Sequence, residues 1–530
     1  MTRPAIAIRA DASGQIGSGH IMRCLTLADE LARCGARVLF ICREITPALK
    51  GMILAAGHEL SMLSEEHDTT AARENDDDIA HARWLSASWA ADARQTANVL
   101  HDYGGVQWLI VDHYALDYRW ENAVRDGAVQ QLMAIDDLAD RKHACDLLLD
   151  VTLDRKERDY ADLVPDRARL FLGPRYALLR RQFARLRHSA IARRNTESSV
   201  RRILISFGGG HHGGKITAKA LEAIRETAAP GILADAALGG ASPRKLGLDA
   251  LARNMPQKVR FHDFSADMAR LAHDADLALG AGGMSAWERC CLGLPTLLTV
   301  LAENQKQGAA AVERAGAAVI FTPGNLKQLL AQALASTTWR RNMAARAMRI
   351  VQGEGAWLMA GHLLPETLRN GVSLSLTPLD MTHAGLLLNW QREPGARRFS
   401  RNPLPPSQND HMAWMRNTLT DPSRHCWIME IGAKPAGIIR LDFDANQKAE
   451  ISILVSAAFR GSGAGRAALK MAGDFFSWTE ITAAVHAENI ASLRLFKGAG
   501  YQETSHQPDK DGFLRLVRKG ADASETGENE

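Results

Sequence analysis

The sequence predicts an α/β chain with two successive parallel, doubly wound sheets, followed by a smaller α+β domain. Three observations predict it. Short apolar strands alternate with amphipathic helical stretches through the first two-thirds of the chain, which is the pattern of parallel sheets. Glycine-rich turns follow several of those strands and open helices. After about Arg369 the strands alternate apolar with polar residues, as in an antiparallel sheet.

The first segment opens with a buried strand at Pro4–Ile8. A helix over Ile21–Cys34 follows, apolar at helical spacing and ended by Gly35. Arg37–Cys42, Val106–Asp112 and Gln130–Asp136 are the next strands, the last two running into acidic residues. Around Arg180–Ser199 the composition turns to Arg, Ser, Asn and Thr with no strand pattern, which predicts a hinge or linker. A second α/β series starts at Arg202–Phe207, ends that strand in Gly208-Gly209-Gly210, and continues with Ile232–Leu238, Lys258–His262 and Ala275–Leu279. Further on, Val372–Leu376, Cys426–Ile431, Ala436–Asp442 and Glu450–Val455 read as strands, with a helix, a strand and a helix after them. Gly520–Glu530 is acidic and rich in small residues, the composition of a disordered tail. The expected division is a first lobe at 1–185, a second lobe at 186–368, a third domain at 369–520 and the tail at 521–530.

At about 150 residues per domain, 530 residues correspond to about three or four folding units. Hydrophobic residues at 46% and charged residues at 23% are ordinary for globular protein. A net charge of +4 on so long a chain, with no Lys/Arg block interleaved with aromatics, argues against nucleic acid as a partner. No stretch approaches the ~18 consecutive apolar residues of a membrane span. Ala5–Ile8 is followed at once by Arg9 and Asp11, too short and polar for a secretory signal. The seven cysteines are scattered without a C-x-x-C pair, so a reducing cytoplasm is expected, and Cys290-Cys291 reads as core. The oligomeric state stays open.

The densest signal runs from Asp11 through Gly17-Ser18-Gly19-His20 to Arg23. A strand feeds a glycine-rich loop and the loop opens a helix. Glycine lets a ligand approach the backbone, and a helix start offers free N–H groups to an anion. His20 stands at that start, where the dipole disfavours imidazolium and favours a neutral, basic ring. Such a ring can act as a general base on water. A capping or packed histidine is the plainer reading of one His; the glycines around it shift the balance toward chemistry.

A second strand–glycine–helix unit spans Leu277–Gly283 and Met284-Ser285-Ala286-Trp287-Glu288, the arrangement of a diphosphate cradle. Glu288, one turn into the helix, reads equally as a ribose-binding carboxylate and as an acid answering the helix dipole. Glu303-Asn304-Gln305 offers amides to phosphate or sugar, or simply begins a solvated helix. Gly209–Lys215 fits G-x-x-x-x-G-K, but a P-loop then needs Ser or Thr for Mg²⁺ and this chain has Ile216. The hydroxyl of Thr217 arrives one residue late, turned about 100° around the helix, so no nucleotide-hydrolysing P-loop is expected. Asp76-Asp77-Asp78 beside Glu74 reads as a solvated charge cluster and His211-His212 as a loop pair; no metal is expected.

Taken in chain order, several motifs point one way: Arg9–Arg23, Val111-Asp112-His113-Tyr114, Ile135-Asp136-Asp137-Leu138, Leu172–Leu179, Phe207-Gly208-Gly209, and Gly280–Pro295 with Glu303-Asn304-Gln305. Across most of residues 1–365 the chain resembles the UDP-2,4-diacetamido-2,4,6-trideoxy-β-L-altropyranose hydrolases of pseudaminic acid biosynthesis. The resemblance implies a GT-B-like pair of Rossmann-type lobes, and release of UDP by water attacking the anomeric carbon with inversion. It implies that His20 is the base, that Glu288 holds the ribose and that Asn304 lies near the substrate. With these it groups Asp11, Gly17, Gly19, Arg23, Tyr114, Gly208, Gly209, Gly282, Gly283 and Gln305 as residues binding the UDP-sugar. Two stretches depart from the family pattern. Gly210-His211-His212-Gly213-Gly214 stands where the family offers a small residue, aspartate and proline, and Val151-Thr152 where it tends to have glutamine and asparagine. Both bear on substrate choice more than on reaction type. The same fold serves glycosyltransferases, so transfer of the sugar to an acceptor is the alternative.

In the third domain, Glu450–Val455 runs into Arg460-Gly461-Ser462-Gly463-Ala464-Gly465-Arg466 and a helix, matching R-x-x-G-x-G. Glycines there expose backbone amides to a diphosphate. Ile481–Val485 then leads into Asn489 and Ser492 through Phe496 to Gly500-Tyr501. Together these motifs resemble the GNAT N-acetyltransferases over about residues 371–520, which implies a GNAT α+β domain using acetyl-CoA as co-substrate. By that resemblance Leu454 and Val455 meet the pantetheine arm, and Arg460, Gly461, Gly463, Gly465, Arg466, Asn489 and Ser492 belong to the acetyl-CoA site. Many members have a tyrosine where this chain has Phe496; either Tyr501 or solvent protonates the thiolate or the thiolate needs no acid, and Glu450 and His486 are candidate proton acceptors. In the pathway implied by the first resemblance, a 4-amino group on the UDP-sugar is acetylated before UDP is removed, so the two halves are expected to perform consecutive steps. An unrelated amine as acceptor is the alternative.

Overall fold

The computed structural model describes residues 3–64, 79–196, 199–208, 211–239, 247–263, 267–444, 446–504 and 507–520, and not the side chains of His211 and His212. Gly209, Gly210, Glu74, the Asp76-Asp77-Asp78 run and the expected tail at 521–530 lie outside the described residues. The chain divides into two compact units, Met1–Ala184 with Arg194–Ala360, and Arg185–Arg193 with Gly361–Glu530.

The first unit holds two parallel sheets, each a Rossmann-type lobe. The first has strands β1 (Ala5–Ala10), β2 (Arg37–Cys42), β3 (Glu59–Met62), β4 (Val106–Asp112), β5 (Val129–Ile135), β6 (Leu147–Asp150) and β7 (Arg169–Leu172). Their order is β3-β2-β1-β4-β5-β6-β7. The second has β8 (Arg202–Ser206), β9 (Leu233–Ala237), β10 (Lys258–His262), β11 (Leu277–Ala281), β12 (Thr296–Thr299) and β13 (Val319–Ile320), in the order β10-β9-β8-β11-β12-β13. The central strands are short apolar runs because helices cover both faces: Ile6, Ala7 and Ile8 of β1, and Leu277, Ala278 and Leu279 of β11, are fully buried. In each sheet the order reverses beside the first strand, between β1 and β4 and between β8 and β11. Doubly wound sheets bind ligands in the crevice at such a switch point.

The second unit is built on a mixed sheet, β14 (Glu366–Thr367), β15 (Ser373–Pro378), β16 (Arg424–Ile431), β17 (Lys434–Phe443), β18 (Ala449–Val455), β19 (Ile481–His486), β20 (Gln502–Glu503) and β21 (Phe513–Arg518), ordered β14-β15-β16-β17-β18-β19-β21-β20. Its pairs are antiparallel except β18 with β19, which is parallel and registered only at Ala449 with Ile481 and Glu450 with Thr482. Beyond Glu450 the two strands diverge. The sheet begins at Glu366, three residues before the expected start of this domain at 369.

One expectation is corrected outright. The stretch expected to be a hinge or linker is a helix, Arg181–Thr196. Its buried positions, Phe183, Ala184, Arg187, His188, Ala190 and Arg194, recur at helical spacing, but half of them are Arg or His, which hid the apolar stripe. Within the second unit, His188 stacks on Phe443 at 3.7 Å and its Nε2 lies 3.0 Å from Nε2 of His425.

Candidate functional site

In the first lobe the chain leaves β1, passes Gly17 at φ 80°, and enters the helix Gly19–Arg33. The positive φ is the turn that glycine permits. No side chain caps this helix, so its first N–H groups stay open, whereas Thr46, Ser88, Asp117 and Ser336 each cap theirs. His20 is 6% exposed in the first turn. Its Nδ1 lies 2.6 Å from Oδ1 of Asp112, the last residue of β4. The switch point thus brings together a histidine and an aspartate 92 residues apart.

Asp112 also accepts two hydrogen bonds from Arg23, from Nε and Nη2, each at 2.6 Å. Burial opposes a charge on Asp112, but Arg23 and then His20 outweigh it and hold the carboxyl well below the usual range. A charged Asp112 accepts the Nδ1 proton, which leaves Nε2 as the basic nitrogen of a neutral ring. Arg23 reaches on from Nη1 to Oδ2 of Asp137 at 2.5 Å, and the Tyr114 hydroxyl donates to the same oxygen at 2.7 Å. Burial first, and Asp137 next, push the Tyr114 phenol well up, so it stays a donor. The Tyr114 ring meets His20 edge-on at 4.7 Å, and Trp84, 5.5 Å from Tyr114, lies edge-on to His20 at 6.2 Å.

Four strand ends on this edge carry a buried carboxylate, and each has its own arginine. Arg9 clasps Asp11 at 2.7 and 2.9 Å. Arg23 holds Asp112. Arg141 binds Asp136 at 2.8 Å. Arg155 binds Asp150. Tyr160 lies between the last two acids, its hydroxyl 2.9 Å from Asp136 and 2.8 Å from Asp150. One hydroxyl proton serves only one of those oxygens, and burial, followed by the charge of Asp137, pushes Asp150 up to about 6.

In the second lobe, Gly208 follows β8 at φ 80° and Gly283 heads the helix Met284–Cys291 at φ 89°, with no side-chain cap. A Cβ on Gly280 would stand 2.7 Å from the Arg289 guanidinium, and one on Gly282 would stand 3.2 Å from the Gln305 Cβ. The glycine turn and the Gln305 segment therefore pack together, and Gln305 accepts from the Leu301 N–H at 3.0 Å. Asn304 is half-buried in the short 3₁₀ turn Glu303–Gln305. Glu288 is partly buried with Arg180 of the first lobe 3.5 Å away; burial raises its pKa and Arg180 opposes the rise. Cys290 and Cys291 are buried. Thr217, the misplaced P-loop hydroxyl, is buried and donates back to the Gly213 carbonyl at 2.7 Å.

The second unit carries its own site. Gly461 (φ 79°) and Gly463 (φ 92°) shape the loop after β18, and Gly463 starts the helix Ala464–Phe475 without a side-chain cap. A Cβ on Gly465 would stand 3.2 Å from Leu495, on the helix that Asn489 caps by accepting from the Ser492 N–H at 3.1 Å. Arg460 reaches back to the Val455 carbonyl at 3.4 Å, and Arg466 follows in the first turn of the helix. Leu454 and Val455 lie on the β18 edge that has parted from β19. Tyr501 is 2% exposed, edge-on to Phe496, and its hydroxyl has no hydrogen-bond partner among the described residues. Its phenol is pushed up by burial. His486 Nδ1 accepts from the Glu488 N–H at 3.3 Å, between the rings of Phe399 and Phe513.

Asp112 and Asp137 were quoted in sequence only as motif members; that strands end in acids was the signal for them. Trp84 and Arg180 had no signal, since both reach their places through long-range packing. Among the described residues no group of three or more His, Cys, Asp or Glu could hold a metal ion, and no helix is long and apolar enough to cross a membrane.

Comparison with known proteins adds partial matches. The chain is 24% identical over 309 residues to an uncharacterized protein of Methanocaldococcus jannaschii, covering 57% of this chain and 56% of that one. It is 28% identical over 178 residues to the UDP-2,4-diacetamido-2,4,6-trideoxy-beta-L-altropyranose hydrolase of Campylobacter jejuni, covering 34% of this chain and 53% of that one. The chain thus spans just over half the length of these curated relatives. Among solved structures, MurG of Acinetobacter baumannii aligns over 68% of this chain and 99% of its own, at 14% identity and a TM-score of 0.47. Residues 373–502 match the family model of the acetyltransferase (GNAT) domain. The first unit is thus a pair of Rossmann-type lobes, partly similar in sequence to a UDP-sugar hydrolase, and it is followed by a domain that matches the GNAT acetyltransferase family model.

Proposed function

We propose that the chain is a bifunctional cytoplasmic enzyme of pseudaminic acid biosynthesis. It acetylates the 4-amino group of a UDP-linked trideoxy sugar with acetyl-CoA, then hydrolyses the diacetamido product to free sugar and UDP. The observation that carries the hydrolase half is the His20–Asp112 pair at 2.6 Å, beside an uncapped helix start at the sheet's switch point.

In this reading His20 Nε2 takes a proton from water as the water oxygen bonds to the anomeric carbon. The bond from that carbon to the diphosphate oxygen breaks on the opposite face, which inverts the centre. Asp112 stabilises the imidazolium that forms, in the manner of a buried carboxylate behind a catalytic histidine. UDP departs with its charge spread over the diphosphate, and the open N–H groups of the helix at Met284 stabilise that charge as it develops. Glu288 accepts from the ribose hydroxyls. Asp11, Gly17, Gly19, Arg23, Tyr114, Gly208, Gly282, Gly283, Asn304 and Gln305 make up the rest of the UDP-sugar site, with Asp11 buried beneath it; Gly209 of the same motif lies outside the described residues. The acetyl-CoA diphosphate meets the loop from Arg460 to Arg466.

Mass spectrometry of products tests both steps. The 4-amino UDP-sugar is supplied with and without acetyl-CoA. UDP release that follows acetylation supports the sequence of steps. An intact diacetamido UDP-sugar after incubation with the protein overturns the hydrolase reading, and release of UDP only when an alcohol acceptor is added makes the protein a glycosyltransferase.

A further inference from the structure

Three further rings gather beside His20. Trp84 ends the 3₁₀ turn Ala82–Trp84, His81 precedes it, and Tyr114 follows β4. The ring centroids lie 4.5 Å apart for His81 and Trp84, 5.5 Å for His81 and Tyr114, and 5.5 Å for Trp84 and Tyr114, with the planes tilted by 46°, 41° and 33°. Trp84 and Tyr114 both stand edge-on to the His20 imidazole. The turn is held in place by its neighbours in sequence. Leu85 and Ala87 are buried, and Ser88 caps the next helix by accepting from the Ala91 N–H at 3.2 Å. Trp84 and His81 themselves stay half-buried.

The groups this cluster leaves unused set what it can bind. The Tyr114 hydroxyl already donates to Asp137, so toward a ligand this residue presents ring carbon. The Trp84 indole N–H and the His81 ring nitrogens have no hydrogen-bond partner among the described residues. Burial lowers the His81 pKa against the pull of Asp140, so the ring is neutral and has one donor and one acceptor. Indole adds one donor. The cluster thus presents mostly carbon, with two N–H groups and no formal charge of its own.

We propose that Trp84 and His81 form the subsite that selects the sugar, receiving a deoxy, N-acetylated hexose in preference to a fully hydroxylated one; the assignment rests on the hydrolase reading above. His20 fixes where the sugar lies, because the anomeric carbon must come within reach of a water on Nε2. The rings beside His20 then meet the sugar, while the diphosphate lies at the helix of the second lobe. A methyl group of the sugar or of its acetamide packs on the indole face, and an acetamide carbonyl accepts the indole N–H. A hydroxyl in the place of the methyl would lose its hydrogen bonds to water against ring carbon. Neither residue moves a proton in the reaction, so losing one acts on KM and on the choice of sugar before it acts on kcat.

The test uses the full chain. UDP release from the diacetamido UDP-sugar gives kcat and KM. Calorimetry in the His20→Asn background, which stops turnover, gives affinities for that UDP-sugar, for UDP-N-acetylglucosamine and for UDP alone. Trp84→Ala is expected to raise KM about tenfold or more and His81→Ala about threefold or more, each with kcat changed less than KM. The diacetamido UDP-sugar should bind about tenfold or more tighter than UDP-N-acetylglucosamine, and Trp84→Ala should close that gap. Trp84→Phe, which keeps a ring face, should keep part of it. Unchanged affinity for UDP alone reports that each variant is folded. An unchanged KM and an unchanged gap in Trp84→Ala overturn the subsite. A matching loss of affinity for UDP alone also overturns it, since Trp84 would then be a structural support. If the wild type leaves the diacetamido UDP-sugar intact, the hydrolase reading fails, and the affinity gap with and without Trp84 still decides the subsite. No gap in the protein with Trp84 present overturns it.

Discussion

Oδ1 of Asp112 stands 2.6 Å from Nδ1 of His20, and the same carboxylate receives two hydrogen bonds from Arg23. The aspartate therefore fixes both the tautomer and the direction of the imidazole. Replacing His20 by Asn is expected to lower UDP release by about a hundredfold or more while UDP still binds. Asp112→Asn should lower it comparably, because the amide can present its N–H₂ to Nδ1 and favour the wrong tautomer. Steady-state turnover with calorimetry of UDP binding checks both; an Asp112→Asn enzyme at wild-type rate would remove the pair from the mechanism.

Asp150 gives a pH dependence of stability with a defined sign. Its folded carboxyl titrates near 6, against 3.8 for the ordinary group. The native state then binds more protons than the unfolded state between those values, so this group's stabilising contribution falls as pH rises through the window and stays low above it. Asp150→Asn removes the titration. From pH 4 to pH 7.5 the stability difference should move in the variant's favour by up to about 3 kcal/mol. Urea unfolding at both pH values measures it, and parallel shifts in the two proteins would contradict the assignment.

Glu288 and Arg180 bridge the two lobes of the first unit at 3.5 Å. If Glu288 binds ribose, Glu288→Gln keeps a neutral acceptor but loses the charge, and UDP affinity should fall about tenfold, since hydrogen bonds to charged groups are worth about 1.5–3 kcal/mol. Affinity for UDP that is unchanged in Glu288→Gln and in Glu288→Ala would assign the residue to the ion pair alone.

Gly463 stands at φ 92° at the head of an uncapped helix. A side chain there is strained by about 1–2 kcal/mol and covers the amides below it. Gly463→Val should weaken coenzyme A binding at least tenfold and leave UDP binding untouched, as two separate calorimetric titrations would register. Loss of both affinities together would point instead to general unfolding.

Much of this architecture was legible from periodicity. Arg37–Cys42, Val106–Asp112 and Lys258–His262 were read to the residue, because apolar runs flanked by turn residues leave little choice. The strand read as Ala275–Leu279 is displaced to Leu277–Ala281, its end running into the glycine turn, where glycines carry no apolar signal. Leu147–Asp150 and Arg169–Leu172 were not read as strands; four residues are too few to show a period. The helix Arg181–Thr196 escaped because arginine and histidine fill its buried positions. In the hydrolase site, glycine spacing located His20, but the link to Asp112 spans 92 residues and comes only from strand order.

The strand-end carboxylates and their arginines have a consequence for how this edge can vary. Losing the arginine of the Arg141–Asp136 or Arg155–Asp150 pair strands its buried carboxylate, at about 3–5 kcal/mol, while removing both together is far milder. Lysine in place of arginine forfeits the forked geometry and does not serve as a halfway step. Change at Arg141 or Arg155 is thus admissible mainly in couples with Asp136 or Asp150, whereas Arg9 and Arg23 also hold Asp92 and Asp137 and Asp112 serves His20, so the floor of the crevice resists drift while the loops above it stay free to diversify.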